Sequence, residues 1–346
     1  MSVLSNETAD GAMPIRTRIE LPDTRGLICA FRFVPGEPAR QIGWPEVAGV
    51  VEGTAQGLTW LHFNLTDGRA AEWIKGCERI PQAARESLLS ADAHVRLKRA
   101  GDTLVGVLDD LHHDFDADPE AVGLVRLYAD RTLLITGRRH PLKATDQLRR
   151  EAYEGLKADS MAMLLARLLD YLGETYQNVI GGIMQDIDAI EDRVLDGHFH
   201  REGTNLGKAR RLVSRLRRHL GAERQALQGV LAHLPEWCSG PGEIQIAQSA
   251  ARLETVAQDL DLLQERGRLL QDELAGRLGE ATNRNLYILS IVTTVFLPIT
   301  LITGLFGMNV GGLPWLQDTF GFWWVLLGMA ATAGLALLLL HWRRLF

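Results

Sequence analysis

Cysteine is scarce in this chain of 346 residues: Cys29, Cys77 and Cys238 lie far apart, and no Cys-x-x-Cys pair occurs. That scarcity argues against a disulfide framework or a thiolate zinc site, and it fits a reducing compartment for the soluble part. Excess positive charge is absent too, with 37 Lys and Arg against 43 Asp and Glu and a formal net charge of −6. A phosphate backbone needs a basic face, so nucleic acid is not expected as a partner. There is no P-loop, no dinucleotide fingerprint and no nucleophile–base constellation, which argues against an enzyme and against an ATP-driven pump. No cofactor is expected, and any driving force is an ion gradient, the membrane potential or a proton gradient. The opening stretch MSVLSNETADGAMP carries acids and no apolar core. No secretory signal is expected there, so the soluble part should stay in the cytoplasm.

Charge itself disappears near the C-terminus. No residue between Leu286 and Gln317 is charged, and LYILSIVTTVFLPITLITGLF (286–306) is about 21 residues long, close to the ~20 that a helix needs to cross a bilayer core. A second uncharged stretch, Thr319 to Leu340, again has spanning length. The connector Gly307 to Phe320 holds Asp318 and no Lys or Arg, whereas Arg277 and Arg284 precede the first span and Arg343 and Arg344 follow the second. The positive-inside rule then places both termini in the cytoplasm, with Trp323, Trp324 and Trp342 as interfacial anchors.

The remainder reads in two textures. From Gly26 to about Arg139, short apolar or alternating runs at 27–34, 58–65, 94–100, 103–111, 124–130 and 132–139 predict strands, with helices at 70–77 and 81–89 between them. Residues 1–140 are therefore expected to form an α/β domain on a mixed sheet. Beyond Pro141 the pattern is helical: 144–153, then 160–196, a break at Gly197-His198-Phe199-His200 and Glu202-Gly203-Thr204-Asn205, and a basic helix from Leu206 to about His233. From Glu243 no proline occurs until Pro298, so one helix of some sixty residues is expected to run as a stalk into the first span. The expected class is an α+β membrane protein with four parts. These are the α/β cytoplasmic domain 1–140, a helical hairpin and stalk over 141–285, two spans over 286–341, and a basic tail at 342–346.

The long helix carries two stripes. Leu253, Val256, Leu260, Leu263, Gly267, Leu270 and Leu274 form a heptad seam that must bury against another helix. A different face reads Leu262, Leu269, Gly276, Asn283, Ser290, Leu297 and Gly304, with Glu265, Asp272, Gly279, Leu286, Thr293 and Thr300 three positions further on. Acids lie on the stalk, hydroxyls and small residues within the membrane. Aligned hydroxyls suit a pore wall, or else they bond their own i−4 carbonyls or glue neighbouring helices. Two spans cannot enclose a hydrated ion, so a pore requires several copies of the chain.

Gly307-Met308-Asn309 stands at the exit of the first of two terminal spans, preceded by Phe296-Leu297-Pro298-Ile299-Thr300 and Thr303-Gly304-Leu305-Phe306. With a soluble α/β domain and a very long helix ahead of it, this arrangement resembles the CorA superfamily of divalent-metal-ion transporters. The connector Val310-Gly311-Gly312-Leu313-Pro314, with Asp318 its one acid, resembles the zinc-transporting ZntB branch. The resemblance implies a homopentamer in a bacterial cytoplasmic (inner) membrane, in contact with lipid, that moves Zn2+ or other divalent cations. It implies that Asn309 presents an amide oxygen to the hydration shell of the ion, that Gly307 permits a tight turn, and that Met308 packs to hold the loop. Asn283, Leu286, Ser290, Thr293, Leu297, Thr300 and Gly304 would line the path, with Leu286 and Leu297 as apolar rings that gate by dewetting. Glu265 and Asp272 are candidates for acidic rings on the cytoplasmic side. A magnesium or cobalt channel of the same superfamily is the alternative, and a membrane-anchored signalling or scaffold protein is the alternative from another class.

Three further groups are candidates. His112, His113, Asp114 and Asp116 bring zinc- and oxygen-type ligands together, or form a solvated loop after a strand. His198 and His200 sit at a hairpin tip. Asp186, Asp188, Glu191 and Asp192 either concentrate cations or make a solvated helix face, and the run Arg210 to His219 either pairs with them or meets anionic headgroups.

Overall fold

The computed structural model describes residues 25–51, 57–113, 122–308 and 319–342. Seven strands form one mixed sheet: β1 (Leu27–Phe33), β2 (Arg40–Gln41), β3 (Leu58–Asn64), β4 (Arg96–Ala100), β5 (Thr103–Leu111), β6 (Val122–Ala129) and β7 (Leu133–Arg138). Their order is β2-β1-β3-β7-β6-β5-β4. Neighbours are antiparallel except β3 and β7, which run parallel from Thr59 opposite Leu133 to Asn64 opposite Arg138. These two central strands are covered on both faces, as their near-continuous apolar sequences require. Gly106 of β5 lies opposite Leu97, and a Cβ there would come within 2.7 Å of the Arg96 carbonyl oxygen.

One core is built with α1 (Trp44–Val51), α2 (Gly68–Gly76) and α3 (Gln82–Leu89). Val47, Val50, Ala70, Ile74, Ala84 and Leu88 meet Leu61, Phe63, Leu133 and Ile135 in a single buried cluster. Arg79 fastens its edge, donating to the Val50 carbonyl, to Asp130 at 3.2 Å and to Thr132 Oγ1 at 2.6 Å. Neither β2 nor α1 is among the expected elements. α3 begins at Gln82, with Pro81, the expected first residue of this helix, at the N-cap position.

The helical part comprises α4 (Lys143–Glu154), α5 (Met161–Leu195), α6 (Phe199–Leu231), α7 (Pro241–Phe306) and α8 (Gly321–Trp342). α4 starts on β5: the Asp110 carboxylate accepts from the amides of Ala144 at 3.0 Å and Thr145 at 3.2 Å. It stops at Gly155, whose φ of 103° places it in the left-handed region that glycine tolerates. α6 begins at Phe199, not at Leu206. Only a short turn around Gly197 separates it from α5, closed by the His198 amide on the Arg193 carbonyl at 2.9 Å. Residues 199–205 remain helical because Glu202 is buried and bound to Arg193 at 2.9 Å.

The chain divides into two compact units, 1–188 with 207–266 and 189–206 with 267–346. In the first, Leu253, Val256, Leu260 and Leu263 of α7 are buried, flanked by Arg252–Asp170 at 2.9 Å, Arg224–Glu254 at 3.0 Å and Arg266–Asp188 at 2.5 Å. In the second, Leu270 and Leu274 continue the buried seam, with Ile190, Val194 and Leu206 also buried. The heptad seam is thus present as expected, while Leu262 and Leu269 on the other face are 70% and 56% exposed. Among the described residues, α7 and α8 are the two helices long and apolar enough to cross a membrane, with mean hydropathy of 2.2 and 2.0 in their most apolar windows.

Candidate functional site

The site follows from what α7 leaves uncovered. Asn283, Leu286, Ser290, Thr293, Leu297, Thr300 and Gly304 recur at alternating spacings of three and four, which places them on one helical face. All seven are exposed on the protomer. Leu286 and Leu297 are 55% and 69% exposed, so among the described residues nothing covers the two candidate apolar rings.

The hydroxyls on and beside this face donate backward along their own helix. Ser290 bonds the Leu286 carbonyl at 2.9 Å, Thr293 bonds that of Leu289, and Thr300 bonds that of Phe296 at 2.8 Å. Thr294 and Thr303 do the same. This is the self-satisfied geometry open to hydroxyls in apolar helices. It spends each donor on the backbone and leaves oxygen lone pairs facing outward, a chemistry suited to a hydrated cation and not to an anion. Pro298 lies inside the same stretch without ending the helix, and it lacks the N–H that would bond the Thr294 carbonyl.

At the exit, the Gly307 amide bonds the Thr303 carbonyl at 2.9 Å and the Met308 amide bonds that of Leu305 at 3.4 Å. A Cβ on Gly307 would lie 2.9 Å from the same Thr303 oxygen, so the tight exit of the chain needs glycine. Met308 is 48% exposed. Asn309 lies outside the described residues. Lower on α7, Glu265 and Asp272 are exposed and two turns apart.

The other candidates are placed separately. His112 bridges to Leu142 and its ring lies 5.0 Å from that of His140. His113 stands 4.0 Å from Asp146, a carboxylate already bound by Arg149 and Arg150. Asp114 and Asp116 fall outside the described residues, among which no three His, Cys, Asp or Glu side chains assemble as a metal site. His198 is exposed at the hairpin turn. Asp188 is bound to Arg266, and in the basic run Arg217 pairs with Asp261 of α7 and His219 with Asp109 of β5. Those two basic side chains therefore meet α7 and the sheet, not the acids of α5.

Comparison with known proteins bears on the same architecture. Residues 55–344 match the family model described as CorA-like Mg2+ transporter protein. The divalent cation transporter CmaX of Pseudomonas aeruginosa is 29% identical over 317 residues, covering 90% of this chain and 95% of that one. The zinc transport protein ZntB of Yersinia enterocolitica is 26% identical over 269 residues, 78% and 82% of the two chains. The solved structure of full-length CmaX superposes with a TM-score of 0.78 at 27% identity, over 94% of this chain and 99% of the other. The CorA magnesium transporter of Methanocaldococcus jannaschii shares the fold, with a TM-score of 0.65 at 16% identity over 90% and 96%.

Proposed function

The chain belongs to the family of CorA-like Mg2+ transporter proteins, and on that premise we propose that it carries Zn2+ across a bacterial inner membrane through a homopentameric pore. Divalent-cation transport is the family's activity, and it is transport, not enzymatic conversion. The zinc assignment draws on the similarity to proteins named as zinc transporters and on a connector whose one acid is Asp318.

The observation that carries the reading is the uncovered face of α7. Seven uncharged residues line it from Asn283 to Gly304 and lead to Gly307 and Met308. Several copies arranged about an axis would close that face around a path. Outward-turned oxygens of Ser290, Thr293 and Thr300 then exchange hydrogen bonds with the hydration shell, neutral and weak enough for a dication to leave again. Asn309 supplies the same chemistry at the outer mouth, Leu286 and Leu297 close the path when dry, and Glu265 and Asp272 raise the local cation concentration at the cytoplasmic end. Both termini are cytoplasmic in this arrangement.

A magnesium channel is the second reading, favoured by the family's own description. Competition separates the two. Zinc uptake by proteoliposomes that resists excess Mg2+ and hexaamminecobalt supports the zinc assignment; uptake of Mg2+ blocked by hexaamminecobalt, with zinc excluded, overturns it.

A further inference from the structure

α6 is a basic helix, yet it turns two acids inward, Glu202, which Arg193 binds, and Glu223. Glu223 is fully buried, and neither of its carboxylate oxygens has a hydrogen-bond partner among the described residues. Three elements supply the titratable groups around it. β5 contributes Asp109 and Asp110, whose charges both act on Glu223. α5 contributes Tyr176, also fully buried and with its hydroxyl unpartnered. α6 contributes His219 one turn earlier, its Nδ1 2.8 Å from Asp109 Oδ2. α7 carries Glu254, which binds Arg224 at 3.0 Å, with Leu253 and Val256 buried on either side of it in the sequence. On the adjacent strand β6, Arg126 is directed to the Asp92 carbonyl at 3.1 Å.

Asp109 is paired with His219, whereas Asp110 accepts from the amides of Ala144 and Thr145 and burial still pushes its carboxyl up to about 7. Glu223 has no such compensation. An ionised carboxylate buried under the influence of two other acids, with no cation of its own, costs far more than holding a proton. Burial first, then Asp109 and Asp110, pushes the Glu223 carboxyl well above the usual carboxylate range, and the same groups raise the Tyr176 hydroxyl.

We propose that Glu223 is the proton-binding residue of a pH sensor seated between β5, α5 and α6. With the proton bound, α6 lies closed on the sheet. Its loss places an extra negative charge beside two aspartates, and α6 loosens from β5. The next residue, Arg224, is bonded to Glu254, so the movement is delivered to α7. The direction is fixed by linkage: Glu223 binds its proton more tightly folded than unfolded. Its contribution to stability is therefore complete below about 4.5 and is lost as pH rises toward its higher folded value.

The test uses the full-length protein in detergent, wild type and Glu223→Gln. At pH 7.5 the infrared carbonyl band of un-ionised carboxyls should be stronger in the wild type than in the variant, since Asp110 contributes to both and Glu223 only to the wild type. Its melting midpoint should fall by about 5 °C more between pH 5.5 and 8.5 than that of the variant, and exchange of α6 amides, corrected for intrinsic rate, should rise with pH only in the wild type. Equal bands in wild type and variant, or identical pH profiles, overturn the proposal. So does a wild-type midpoint raised by Zn2+ and lowered by a chelator in a manner lost in Glu223→Gln, since Glu223 would then be a metal ligand. Titration of the band in Asp110→Asn, which removes the other raised carboxyl and keeps an amide oxygen for α4, decides the matter even if Glu223→Gln does not fold. The passage of the signal from α7 to ion flux rests on the transport reading; the infrared and melting results do not, so the two fail separately.

Discussion

Leu260 and Leu262 stand two residues apart on α7 and should respond oppositely to the same truncation. Leu260 is fully buried in the heptad seam, whereas Leu262 is 70% exposed on the protomer. Replacing a buried leucine by alanine removes transfer free energy and leaves a cavity, together about 3 kcal/mol. In a unit of this size that lowers the melting midpoint by roughly 6–12 °C. Leu262→Ala removes the same atoms from water-exposed surface, so its cost to the fold is within about 0.5 kcal/mol. If the exposed face of α7 is covered only by other copies, the loss appears instead in assembly. Thermal melting combined with mass measurement of the intact oligomer reads both effects. The expected result is a lower midpoint for Leu260→Ala, and for Leu262→Ala an unchanged domain melt with partial dissociation. An equal drop in melting for both variants, or a fully assembled and unperturbed Leu262→Ala protein, would refute the reasoning.

Two further outcomes follow from other parts of the structure. Thr293→Val keeps the shape of the side chain and removes the hydroxyl, both its bond to the Leu289 carbonyl and its outward lone pairs; with ~1.4 kcal/mol lost at the barrier, flux should fall about tenfold while assembly is retained. Asp110→Ala takes the acceptor from the first amides of α4 and should cost about 1–2 kcal/mol in chemical denaturation, with the far-ultraviolet helix signal nearly unchanged at low denaturant.

The elements most legible in the sequence were those fixed by long periodicity. The seam from Leu253 to Leu274 repeats over several heptads, and every leucine and valine in it is buried. The sheet strands announced themselves through apolar runs bounded by turn residues, and the absence of charge after Leu286 marked the spans. Short elements escaped: β2 has two residues, and α1 opens on Trp44-Pro45 close after Gly36 and Pro38, where local composition says turn. The hairpin between α5 and α6 misled for the opposite reason. Gly203, Thr204 and Asn205 look like breakers, but Arg193 and buried Glu202 form a tertiary pair that no local propensity encodes. At the candidate site, spacing revealed which residues share the α7 face and left the backward bond to the i−4 carbonyl as one of the readings of their hydroxyls, the one the structure shows. Glu223 was invisible because its partners on β5 and α5 are remote in sequence, and a lone acid in a basic helix reads as surface.

The most direct measurement is zinc flux into proteoliposomes holding the purified protein, with Asn309→Ala as control and Mg2+ measured in parallel. Zinc entry should outrun magnesium and collapse in the variant while its oligomer stays intact. Flux of neither ion in well-assembled protein, or zinc flux indifferent to Asn309, would contradict it.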